Sequence, residues 1–198
     1  MKEVRKMSTR GAIVRFTNGE TTEFAGRYHH WDSPPTSLGA TLFKLYNGHF
    51  KKDLKAMLRV LIDEHPAGWS TINRGDFSLA PGYNKSLDED HRPHCYCHGD
   101  RSEEENLITH KNAADVGCEY VYGFDEGPTL VVLSSYCADD GPFAGHKMIG
   151  MFGSGDPNAT WKEIGRVSLE APEPDWGRIE CGENLERCGH VEGYHERR

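Results

Sequence analysis

Residues 91–100 read His-Arg-Pro-His-Cys-Tyr-Cys-His-Gly-Asp, which concentrates thiol and imidazole donors within one short polar stretch. Cys95 and Cys97 form one local pair. Cys181 and Cys188, the latter followed at once by Gly189 and His190, form another. Zinc takes four sulfur or nitrogen ligands in a tetrahedron, commonly as two local pairs brought together by folding. Such pairs need backbone that can wrap an ion, and Gly99, Gly182 and Gly189 lie beside them. The pattern predicts a closed, structural zinc site of Cys95, Cys97, Cys181 and Cys188. His98 and His190 are reserve ligands, followed by His94, His91 and His195. The spacing is not the usual C-x2-C, so ordinary thiols and a Cys181–Cys188 disulfide stay open as alternatives. Cys118 and Cys137 flank an apolar hairpin and read as core packing.

A second constellation is Tyr28-His29-His30-Trp31-Asp32. Along a strand, alternate side chains share a face, which would put Tyr28, His30 and Asp32 together. His30 and Asp32 at a strand end are candidates for acid/base catalysis. A helix start just beyond would offer N–H groups to an anion, with Arg10 or Arg27 assisting. The structural alternative is a core histidine and a turn aspartate. The Gly150–Pro157 stretch lacks the spacing of a phosphate loop and reads as a hairpin turn. A start at Met7 would expose Ser8 as an N-terminal nucleophile, against the plain reading of a frayed terminus.

These groups need elements to hold them. The chain has 198 residues, 36% hydrophobic and 27% charged, so its core must be concentrated in a few segments. Its net charge of −8 disfavours nonspecific binding to nucleic acid or anionic membranes. No stretch approaches the roughly 20 apolar residues of a membrane span, and the N-terminus lacks the apolar run of a secretory signal. The expected location is the cytoplasm.

Gly11–Phe16 and Thr21–Trp31 predict two strands joined at Asn18-Gly19. Leu38, Leu42, Leu45 and Tyr46 recur at helical spacing and predict a helix over 34–47, with Ser33 able to cap it. Leu54, Met57, Leu58, Leu61 and Ile62 predict a second over 51–64, stopped by His65-Pro66. Cys118–Phe124 and Thr129–Tyr136 predict another hairpin, the run Leu130–Leu133 suiting a strand covered on both faces. Weaker strands are expected at 146–153 and 163–170. Segments 83–117 and 171–198 are polar and lack a periodic apolar face, yet hold the paired cysteines.

Ser8-Thr9-Arg10-Gly11 followed by Tyr28–Gly39 resembles a group of bacterial and phage-borne proteins with a small-Thr-Arg start and an H-W-D-G-Y-P-like motif before a helix. Ser33-Pro34-Pro35 replaces Gly-Tyr-Pro here. The resemblance spans about the first 45 residues and implies no activity. The sequence thus predicts one α+β domain, a mostly antiparallel sheet with two consecutive helices and long polar loops that zinc staples together. The expected function is a binding or regulatory protein of unspecified protein or small-molecule partner. The alternative is a hydrolase or transferase acting on an anionic small molecule through His30 and Asp32.

Overall fold

A computed structural model describes residues 9–18, 21, 23–73, 75–82, 91–98, 104–136 and 160–181. The expectations for Ser8, Cys137, the strand at 146–153, the 150–157 turn, Cys188, His190 and His195 lie outside these residues. Among the described residues, eight strands make one sheet: β1 (Arg10–Phe16), β2 (Phe24–His29), β3 (Trp69–Thr71), β4 (His94–Cys95), β5 (Leu107–Thr109), β6 (Cys118–Phe124), β7 (Thr129–Tyr136) and β8 (Thr160–Ser168). Their order is β4-β3-β2-β1-β6-β7-β8, with β5 added to β2.

The predicted hairpins form. β1 pairs antiparallel with β2, and β6 with β7 in the register Tyr122↔Val132. The sheet as a whole is mixed, however, which corrects the mostly antiparallel expectation. β1 runs parallel to β6, and β2 parallel to β3. A parallel pair requires a long crossover, and the helical segment between β2 and β3 provides one. Hairpin signals are local in sequence, whereas nothing in a strand's own residues announces a distant parallel neighbour.

That crossover holds α1 (Ala40–Asn47), entered through a wider helical turn at Pro35–Gly39, and α2 (Leu54–Leu58), continued by another at Arg59–Asp63. Leu38, Leu42, Leu45, Tyr46, Met57, Leu58, Leu61 and Ile62 are all buried, as their spacing predicts. The second helix starts later than expected because Lys51 and Lys52 adopt left-handed φ angles of 48° and 68°. Asp53 then caps it, accepting the Ala56 N–H at 2.9 Å. Ser33 does not cap the first helix; Pro34 takes that position, and the Ser33 hydroxyl bonds to His29 instead.

A third helix, α3 (Trp176–Cys181), lies in a segment expected to be irregular. Six residues are too few to display a periodic face. Trp176 nonetheless anchors the helix against Phe43, ring to ring at 6.2 Å.

Side-chain alternation sends Ile13, Tyr120, Tyr122, Phe124, Leu130 and Val132 into a core shared with the helices. Ala12, Val14, Val121, Val131 and Leu133 point to the opposite face, where Phe24, Ile108, Ala113 and Cys118 cover them. β6 and β7 are therefore buried on both faces, and Cys118 is core packing. Among the described residues no helix is long and apolar enough to cross a membrane.

Candidate metal centre

The second helical segment ends in a turn at His65–Gly68. The Gly68 N–H bonds back to the His65 carbonyl at 2.9 Å. Gly68 has a φ of +82°, and a Cβ there would lie 2.7 Å from the Tyr28 carbonyl oxygen. Only glycine fits this left-handed turn without strain. From it the chain enters β3, and the His65 imidazole packs 4.3 Å from the Trp69 ring. The Trp69 indole N–H donates to the Leu61 carbonyl at 2.8 Å, fixing the surface on which His65 rests.

β4 lies alongside β3, with Trp69 opposite Cys95. Beyond Cys95 the chain bends, and the Tyr96 N–H donates to the Gly68 carbonyl at 3.0 Å. Cys97 thereby comes under the 65–68 turn, where its sulfur accepts the Ala67 N–H at 3.2 Å. His98 follows, its Nδ1 3.0 Å from the Cys95 sulfur and its ring centroid 5.2 Å from that of His65.

One ligand atom from each of His65, Cys95, Cys97 and His98 lies within 4.8 Å of all the others. In an ideal zinc tetrahedron with such donors the separations are about 3.3–3.8 Å. The widest of the four separations exceeds these by no more than about 1.5 Å. The donor set is Cys2His2, and four such ligands would close the coordination sphere of a bound ion, as in a structural site.

Burial shapes the chemistry of the two inner ligands. Cys95 is fully buried, which pushes its thiol up to about 11, with the neighbouring Cys97 sulfur adding to the rise. His65 is lowered to about 4, first by burial and then by His98. Each is therefore uncharged at neutral pH, and a dication would convert Cys95 to the thiolate that binds it. The His65 Nδ1 is buried without a hydrogen-bond partner. Such a lone polar atom costs about 1–3 kcal/mol, which coordination through the ring would offset.

This grouping unites Cys95 and Cys97 with the reserve ligand His98. Its further member is His65, which the sequence suggests only as a helix stop, while Cys188 of the expected second pair lies outside the described residues. Cys181 lies at the C-terminal end of α3, whose Ile179 packs at Gly165 of β8 and whose Glu180 bonds to Thr36, and it is not among the grouped donors. His94 is buried but alternates with Cys95 along β4, and His91 is exposed.

The other constellation is arranged differently. β2 ends at His29, and Asp32 takes a left-handed φ of 57°, so strand alternation stops short of it. Tyr28 and His30 do meet, hydroxyl to Nδ1 at 3.1 Å. His30 is half-buried among Tyr28, Trp31 and Tyr96, while Asp32 is exposed, its carbonyl held by Asn73 at 2.6 Å.

Both candidate anion-binding arginines have structural contacts. Arg27 is buried, donates to the Ile62 carbonyl at 2.9 Å and pairs with Glu105 at 3.0 Å. Arg10 donates to the Val116 carbonyl. The N–H and hydroxyl of Thr36, at the helix start, are taken by the carboxylate of Glu180.

His29 is the fully buried histidine, 2.8 Å from the Ser33 hydroxyl. Its Nε2 accepts the Ile72 N–H, so Nδ1 carries the proton toward Ser33. A base that activates serine needs the reverse arrangement, and Ser33 is itself fully buried. This pair is structural.

Compared with known proteins, the chain matches no family model, no curated protein and no solved structure.

Proposed function

We propose that the protein is a zinc-stabilised binding or regulatory protein in which His65, Cys95, Cys97 and His98 hold one structural zinc ion. The observation that carries this reading is the convergence of four donor atoms within 4.8 Å from two separate stretches of chain. Two thiolates and two imidazoles suit zinc, a borderline-soft ion without geometric demands of its own. The ion would tie the end of the second helical segment to β4 and to the bend after it. The partner-facing surface ordered in this way includes the exposed Trp31, which packs on His30 above the buried Tyr96.

Metal analysis of the purified protein tests the proposal, with one zinc per chain expected. Cys95→Ser and His65→Ala should each lose the ion, whereas Cys118→Ser and Cys181→Ser should keep it. Retention in the first two variants, or loss in Cys181→Ser, would sink this ligand set.

A further inference from the structure

Resting on the metal centre above, we propose that it also acts as an oxidant-sensing switch: a hydroperoxide converts Cys95 and Cys97 into a disulfide and so ejects the zinc ion. The two sulfurs already lie within 4.8 Å of each other. Only Tyr96 separates the residues, and two residues of even fully extended chain span about 7 Å. The bend at Tyr96 shortens that span toward the Cα separation a disulfide requires.

Exposure gives the pair a direction. His98 is exposed and Cys97 half-buried, so a small oxidant arriving from solvent meets Cys97 first. Cys95, fully buried behind it, is placed to resolve the product. The Cys97 thiolate attacks the terminal peroxide oxygen, forming a sulfenic acid and releasing hydroxide or alkoxide, which takes a proton to become water or alcohol. The Cys95 thiolate then attacks that sulfur, forming the S–S bond and displacing the second oxygen as water with another proton. Two thiolates lose two electrons in total, and the hydroperoxide gains them. Of the other described cysteines, Cys118 is packed into the opposite face of the sheet and Cys181 is not among the grouped donors.

The disulfide removes half the donor set. His65 and His98 alone cannot complete a tetrahedron, so the ion leaves. The bond between the Ala67 N–H and the Cys97 sulfur, and the one between Tyr96 and Gly68, would carry the change to the 65–68 turn.

The test treats the zinc-loaded protein with hydrogen peroxide while a chromogenic chelator reports free zinc and mass spectrometry reads the peptide containing residues 94–98. Zinc release should match, chain for chain, the loss of two hydrogens from that peptide. A phosphine reductant should then restore zinc binding. Cys97→His, which keeps a fourth donor but no disulfide partner, should hold zinc through the same treatment. Zinc that stays bound in the oxidised wild type, or leaves without the Cys95–Cys97 link, overturns the switch but not the metal centre. Equal zinc release from Cys97→His overturns it as well. Protein that neither carries nor takes up zinc removes the metal centre itself, and the switch with it.

Discussion

Histidine serves opposite purposes at positions 29 and 65. His65 is read here as a ligand, whereas His29 has both ring nitrogens committed to the protein, one to Ser33 and one to Ile72. Burial, and then the neighbouring His30, lower His29 from 6.5 to about 3. Protonation would aim a new Nε2–H at the Ile72 N–H. The folded state therefore resists a proton that the unfolded chain accepts. Stability from this group is complete above pH 6.5, falls as pH drops through that value, and levels off only near pH 3. Between those limits the loss should approach about 1.4 kcal/mol per pH unit for a single proton. Urea unfolding at pH 7 and pH 5 should show it, and His29→Gln should lower the pH slope even where it lowers stability itself. An unchanged slope in that variant would mean that other histidines carry the acid sensitivity. At this scale the sequence revealed part of the site. Cys95, Cys97 and His98 are neighbours in the chain, so their chemistry shows as a motif. His65 was hidden because a single histidine before a proline carries no mark of what folding brings beside it.

Among the elements, the turn between the second helical segment and β3 tolerates little change at Gly68. Gly68→Ala must place a Cβ against the Tyr28 carbonyl at a left-handed φ. A loss of about 1–3 kcal/mol is expected, together with weaker zinc binding, because the same turn sets His65 and the Ala67 N–H. Asp53→Ala removes only a helix cap and should cost about 1 kcal/mol while leaving zinc affinity intact. Equal effects of the two substitutions on metal binding would argue that the turn does not position the ligands. Helices at 35–47 and 54–63 were legible because each repeats its apolar residues on one face. The third was not, since Trp176 and Ile179 are too few to make a pattern. Their importance is clear only from what they touch: Trp176 fills the space at Gly39, and Ile179 that at Gly165.

Across the whole molecule, the proposed metal centre lies toward the β4 end of the sheet, while β6 and β7 lie beyond β1 and are covered on both faces. Removing the ion should therefore loosen one end and spare the middle. A strong chelator should lower the melting temperature, because an ion bound only to the folded state stabilises it. Amide exchange should accelerate at 65–69 and 94–98 and stay slow in β6 and β7. Uniformly faster exchange would instead mean that the whole sheet depends on the ion. The mixed topology was not legible for a related reason. The sequence of β1 predicts a hairpin with β2, but its parallel register with β6, Ile13 opposite Tyr122, depends on everything folded between them.

The close contact of His65 with Trp69 gives the protein an optical handle of its own. Trp69 is fully buried and Trp31 exposed, so the two indoles should emit at different wavelengths. An iodide quencher would suppress the long-wavelength component and leave those of the buried Trp69 and Trp176. A ring 4.3 Å away that passes from free imidazole to metal ligand alters the electronic surroundings of that indole. Titrating zinc into apo-protein should consequently change the iodide-resistant emission with a one-to-one endpoint. Trp69→Phe should abolish that response and Trp31→Phe preserve it, so occupancy could be followed in solution without any added dye.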